Sequence, residues 1–251
     1  MNELKRILSF VRRAVDDYNM ISDGDVIGIG VSGGKDSLTL LEALAEMRRF
    51  YPKKYILKAI TIDMGFEDAD FTPIKEFCDR LNVEFLAVKT EIKKIIFDVR
   101  RESNPCSLCA KMRRGALHLA AKELGCNKVA LGHHFDDAVE TFMMNLFFEG
   151  RLGCFSPVTY LSNRDITLIR PLIYAEERDV SYFARKRSLP IYKNPCPEDR
   201  NTERENMKKL LAEIERGNKG LRHRIFHAMC KGEIDGFRPS GRFPDAGPIE
   251  D

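Results

Sequence analysis

Residues 25–148 alternate strand-like and helix-like stretches, which predicts an α/β fold: a doubly wound parallel sheet with helical additions at its N-terminal and C-terminal ends. Two further observations support this class. The longest apolar runs are of strand length and interrupted, and the first of them runs directly into a glycine-rich turn followed by a helix.

The elements follow in order. Leu4, Ile7, Leu8, Val11 and Val15 share one helical stripe, so the chain is expected to open with an amphipathic helix over residues 4–20. Asp25–Ser32 reads as a buried strand, followed by a helix over 36–49, a strand over Tyr55–Ile62, a helix over 72–81 and a strand over Val83–Val88. A helix near 107–124, a strand over Lys128–Gly132 and a helix over 136–148 come next. Gly150–Asn163 is rich in turn residues and reads as a loop. Ile166–Ile173 resembles a further strand, with helices expected over 176–187, 200–216 and 219–230. Residues 235–251 combine Gly, Pro and charge without apolar periodicity, and the expectation is disorder. In such a sheet the ligand lies at the carboxyl ends of the strands, so the loops after Val31, Ile62 and Leu131 should converge.

The chain of 251 residues is long enough to bury a core. MNELKRILSFVRR carries charges where a signal peptide needs its apolar stretch, and no run is long enough to span a bilayer, so a cytoplasmic location without membrane contact is expected. The net charge of +3 says little about partners. Its distribution says more: residues 200–231 hold nine Lys/Arg against four Glu, while the stretch after Lys231 holds five Asp/Glu against two Arg.

GIGVSGGKDS, residues 28–37, overlays two phosphate-loop patterns. Gly28-x-Gly30-x-x-Gly33 fits a dinucleotide fingerprint, but the nearest strand-end acid, Asp63, comes thirty residues past Gly33, where about 20 are expected. The triphosphate loop fails too, because its first glycine would fall on Ile29 and Asp36 stands where Ser or Thr should follow the lysine. What remains is Ser32, Gly33, Gly34, Lys35, Asp36 and Ser37 between strand and helix. Glycine backbone amides, a helix N-terminus and one lysine make an anion site.

Of seven cysteines, Cys106 and Cys109 form a CxxC at a predicted helix start, and Cys196 follows 87 residues after Cys109. Cys106 and Cys196 each close an Asn-Pro-Cys tripeptide. Three thiolates are one short of a closed structural zinc site, and they suit an iron–sulfur site with an open position. Cys78, Cys126, Cys154 and Cys230 lack such partners and read as buried thiols.

The SGGKDS loop resembles that of the PP-loop ATP pyrophosphatases, which cleave ATP between the α and β phosphates. NPCSLCAKMRRGAL, LGHHFDDAVET, IRPL and the later Cys196 narrow the resemblance to the tRNA 2-thiocytidine synthetase family, from about Gly24 to beyond Cys196. The resemblance implies an adenine-nucleotide α-hydrolase-like PP-loop domain over 23–198. An N-terminal helix would occupy 1–22, basic helices 199–234 and a tail 235–251.

It implies an ATP-dependent tRNA sulfurtransferase that adenylates a pyrimidine O2, most naturally of an anticodon-loop cytidine, and installs sulfur to give 2-thiocytidine. Cys106, Cys109 and Cys196 would carry a [4Fe-4S] cluster with one iron free for sulfur. Ser32–Ser37 would take pyrophosphate, with Asp36 contacting Mg²⁺ and Asp63 placed for adenosine or metal. Lys35 and Arg113, with Arg114, would face the α-phosphate. Gly132, Asp136 and Asp137 lie where the sheet rule puts the nucleotide; the two acids suit Mg²⁺ or proton transfer, and one of them is expected to cap its helix. Adjacent His133 and His134 should point oppositely, one of them structural.

Expected partners are tRNA and a sulfur donor such as a cysteine desulfurase or free sulfide, with a homodimer open. Arg100, Arg101, Arg113, Arg114, Lys208, Lys209, Arg222 and Arg224 are the candidate RNA contacts. Three alternatives use the same residues: a tRNA 2-thiouridine synthetase, whose family carries end modules with extra CxxC pairs that this chain lacks; a PP-loop ligase with structural zinc; and a non-catalytic iron–sulfur or RNA-binding sensor.

Overall fold

The computed structural model describes residues 2–67, 69–100, 105–192 and 203–240. Cys196 and Arg101 lie outside the described residues, as do the Arg100 side chain and residues 241–251.

Six strands form one sheet in the order β3-β2-β1-β4-β6-β5, with β1 Asp25–Gly30, β2 Tyr55–Asp63, β3 Glu84–Lys89, β4 Lys128–Ala130, β5 Val158–Leu161 and β6 Ile166–Ile169. The first four and β6 pair in parallel, and β5 joins β6 antiparallel, Val158 facing Ile169. The expected α/β class therefore holds, with two corrections at its far edge. The predicted loop at 150–163 contains β5, and the predicted strand 166–173 stops at Ile169, giving way to the turn in which Ile173 N–H donates to Arg170 O.

The helices are α1 Glu3–Asp17, α2 Lys35–Met47, α3 Thr72–Arg80, α4 Pro105–Glu123, α5 Phe135–Phe148, α6 Glu177–Lys186, α7 Glu203–Gly217 and α8 Leu221–Lys231, with a π-helical segment at Lys94–Arg100. α1 buries Ile7, Val11, Ala14 and Val15, the stripe read from its sequence. That stripe joins α2, α5, α6, α7 and α8 in the main core on one face of the sheet. On the other face α4 supplies Leu117, Ala120 and Ala121 against Ile60, Val129 and Leu168. Burial on both faces explains the continuous apolar strands. Gly28 and Gly30 belong to this packing: a Cβ on Gly30 would lie 2.9 Å from Leu117 Cδ2, and one on Gly28 3.1 Å from Ile60 Cδ1.

The tail expected from residue 235 starts later. Ile234–Gly236 forms a 3-10 turn, and Phe237 is fully buried, its ring 5.4 Å from that of Phe226. A single aromatic residue anchors a stretch whose composition alone suggests disorder.

Candidate nucleotide cleft and cysteine site

Strand order reverses between β1 and β4, the switch point where such sheets bind ligands. The loops leaving these two strands border a cleft of about 610 Å³, within the range of small-ligand sites. Its walls include Ser32, Asp36, Ser37, Arg113, Arg114, Gly132, His133, Asp137 and Arg204. Sequence-predicted residues from three separate segments thus meet in one place, joined by Arg204.

The loop is closed by its own serines. Ser32 N–H donates to Ser37 Oγ at 3.2 Å, and Ser37 Oγ donates to Gly34 O at 3.0 Å. Gly33 adopts φ +82°, a left-handed conformation that favours glycine, and a Cβ there would lie 2.7 Å from Tyr192 Cβ. Gly34 caps α2 without a side-chain acceptor, so the amides of the first turn face the loop as donors. Lys35 turns to the rim, with its Nζ 3.0 Å from Asp36 Oδ1 and 3.3 Å from Glu177 Oε1. Burial opposes its charge, but these two carboxylates hold its pKa above the usual value.

His134 and Asp137 build a capping box at the start of α5: His134 N–H donates to Asp137 Oδ2 at 3.0 Å, and Asp137 N–H to His134 Nδ1 at 3.4 Å. His134 Nε2 stands 3.5 Å from Asp137 Oδ2 and 3.8 Å from Asp36 Oδ1, so both carboxylates flank one imidazole. Burial raises the Asp137 pKa, but His134, His133 and Arg204 outweigh it and keep the acid ionised. His133 points the other way, its ring 4.9 Å from that of Phe155; burial, aided by Arg170, depresses its pKa and keeps it neutral.

Asp136, expected at the cofactor, faces away from the cleft wall. Its Oδ1 pairs with Arg222 at 2.8 Å and its Oδ2 accepts the Glu177 amide at 2.7 Å, so its place is in the support of the site. The expected RNA patch needs the same correction. Arg222 also pairs with Glu215 at 3.1 Å, Lys208 pairs with Glu177 at 2.7 Å, and Arg224 hydrogen-bonds Lys219 O and Asn218. Arg204 donates to Asp137 Oδ1 at 2.8 Å and Thr141 Oγ1 at 3.0 Å. Much of the basic charge on α7 and α8 thus docks these helices on the acids around the cleft, leaving Lys209 exposed.

Asp63 borders a smaller pocket with Ser32, Met64, Phe66, Phe71, Arg113 and Tyr192. Its Oδ1 accepts the Gly65 amide at 2.9 Å, and the Phe71 and Tyr192 rings lie 5.4 Å apart. An aromatic pocket beside an anion loop has the form of a base site. Nothing in the sequence pattern marked Tyr192, Arg204 or Glu177: they reach the site from 140–167 residues beyond Ser37, without a motif.

Cys106 is exposed and Cys109 half-buried on the first turns of α4, with Cys109 Sγ 3.7 Å from Met64 Sδ at the end of β2. Arg113, one turn on, lines both pockets, so the cysteine pair lies beside the nucleotide cleft. Burial pushes the thiols of Cys78, Cys154 and Cys230 up to about 12 and raises that of Cys126, leaving them poor ligands. The accessible pair fits a cluster donor set. Among the described residues no group of three His, Cys, Asp or Glu is arranged around a metal, and the expected third thiolate, Cys196, lies outside them.

Residues 6–215 match the PP-loop domain family. The tRNA-cytidine(32) 2-sulfurtransferase of Geobacter sulfurreducens is 42% identical over 228 residues, covering 90% of this chain and 89% of that protein. The enzyme of the same name from Geobacter metallireducens is 43% identical over 233 residues, with coverage of 90% and 89%. Among solved structures, the U34-tRNA thiolase NcsA from Methanococcus maripaludis with its [4Fe-4S] cluster matches with a TM-score of 0.73 and 25% identity, covering 89% of this chain and 77% of that one. No described helix is long and apolar enough to cross a membrane.

Proposed function

The chain belongs to the PP-loop family of tRNA-cytidine(32) 2-sulfurtransferases, and from that premise we infer an ATP-dependent tRNA sulfurtransferase that converts an anticodon-loop cytidine to 2-thiocytidine. The observation that carries this reading is the meeting of the Ser32–Ser37 loop and the Cys106–Cys109 helix at one cleft, with Arg113 bordering both of its pockets.

Oxide is a poor leaving group, so the base oxygen is first adenylated. The pyrimidine O2 attacks the α-phosphate of ATP, the bond to the β-phosphate breaks, and pyrophosphate leaves into the Ser32–Ser37 loop. Charge gathers on the α-phosphate in that step, and Arg113 and Arg114 on the cleft wall offset it, together with Lys35 once it turns inward. The adenosine occupies the pocket of Asp63, Phe71 and Tyr192, and the backbone at Gly132 lets the nucleotide approach. Asp36 and Asp137, oxygen donors converging beside His134, would hold Mg²⁺ on the phosphates.

Cys106, Cys109 and Cys196 would hold a [4Fe-4S] cluster, which supplies a soft site where sulfur is kept for transfer. The sulfur comes from a cysteine desulfurase or free sulfide, and the enzyme works in the cytoplasm. Thiolation of uridine is the second reading, favoured by the likeness to NcsA; the higher identity to the cytidine enzymes outweighs it. AMP and pyrophosphate released only when tRNA is added would support the adenylation step, and nucleotide turnover indifferent to tRNA would exclude it.

A further inference from the structure

Lys35 belongs to the phosphate loop but is not among the residues lining the cleft. Its ammonium is held at the rim by Asp36, its neighbour, and by Glu177, the first residue of α6. Glu177 is fixed at both ends. Its amide donates to Asp136, which Arg222 grips from α8, and its carboxylate takes Lys208 of α7 at 2.7 Å as well as Lys35 at 3.3 Å. Asp36, Lys35, Glu177 and Lys208 therefore form a line of alternating charge from the loop to the C-terminal helices.

This arrangement is suited to exchange. A partly buried carboxylate with one cation resists losing it, because departure strands a charge. Glu177 has two, and the closer one comes from a helix outside the loop. Lys35 can leave for a more anionic partner while Lys208 keeps the carboxylate compensated.

We propose that Glu177 is a positioning residue that holds Lys35 at the rim of the loop until the nucleotide arrives and hands it to the polyphosphate, with Lys208 neutralising Glu177 afterwards. The proposal rests on the reading of Ser32–Ser37 as the ATP loop.

Trace acylation of the full-length protein with an amine-reactive acetyl ester, followed by peptide mass spectrometry, reads the reactivity of Lys35. Glu177→Gln removes one of the two carboxylates that hold the ammonium, so Lys35 should be labelled several-fold faster without ATP. Lys208→Met should slow labelling below the wild-type rate, since Glu177 then has only Lys35 to neutralise. Calorimetric titration should show Mg-ATP binding to Glu177→Gln at least as tightly as to wild type, because the competitor for the ammonium has gone, whereas loss of a mere structural prop would weaken it. Wild-type labelling rates in both variants, or weakened ATP binding in Glu177→Gln, would overturn the proposal; if Glu177→Gln does not fold, Lys208→Met decides. Failure of ATP to protect Lys35 in the wild-type chain would instead overturn the loop reading, leaving the labelling differences to judge Glu177 alone.

Discussion

Gly132 presses on the first turn of α2 so closely that a Cβ placed on it would lie 3.0 Å from both the Asp36 carbonyl carbon and the Ser37 amide nitrogen. These are backbone atoms and cannot rotate away. The β4 loop and the phosphate loop are thereby held at fixed separation. Gly132→Ala should destabilise the chain by about 1–3 kcal/mol, the usual range for overpacking, and weaken ATP binding. Urea denaturation and ATP titration check both; unchanged stability would mean that the loops do not set each other's position.

Glu140 is buried between the cleft acids and the two arginines, and burial, followed by Asp137, pushes its pKa up to about 7. The folded value lies above the unfolded one, so the folded state binds the extra proton and stability falls as pH rises from about 4.5 to 7. Glu140→Gln removes that penalty. Relative to wild type, the variant should gain up to about 3 kcal/mol across this window, measured by urea denaturation at pH 5 and pH 8. A difference that does not change with pH contradicts this.

Arg222 and Arg204 both anchor the C-terminal helices, but in different surroundings. The Arg222 side chain is 12% exposed and pairs with Asp136, whereas that of Arg204 is 40% exposed. Arg222→Met strands a buried carboxylate and should cost about 3 kcal/mol. Arg204→Met, screened by solvent, should cost about 1 kcal/mol while impairing turnover through Asp137. Denaturation midpoints and tRNA-dependent pyrophosphate release give the two readings.

Replacing Cys106 or Cys109 by Ser should abolish bound iron and labile sulfide in anaerobically purified protein and leave ATP binding intact, because neither thiol lines the large cleft. Cys78→Ala, in the core, should retain iron. A colourless wild-type protein with stoichiometric zinc would instead establish a structural metal.

What the sequence reveals depends on the range of the interaction. The alternating strands, the α1 stripe and the Ser32–Ser37 loop are local patterns, and the structure bears the fold out. β5 escaped because it has four residues beside Gly-, Ser- and Pro-containing stretches at a sheet edge, too short for a periodicity. Phe237 escaped because one anchoring ring leaves no pattern. Asp136 and the basic patch were misread for a different reason: Arg222 and Asp136 are 86 residues apart, and Arg204 and Asp137 67, so charges that look free along the chain neutralise one another in space.

Sulfur transfer to tRNA cytidine is the activity on which the roles of the loop and the cysteines depend. It is tested most directly by mass spectrometry of nucleosides from the tRNA of cells lacking the gene, complemented with the wild-type or Cys106→Ser protein. 2-Thiocytidine should disappear with the gene, return with the wild-type chain and stay absent with the variant. A thionucleoside profile unchanged by loss of the gene would contradict it.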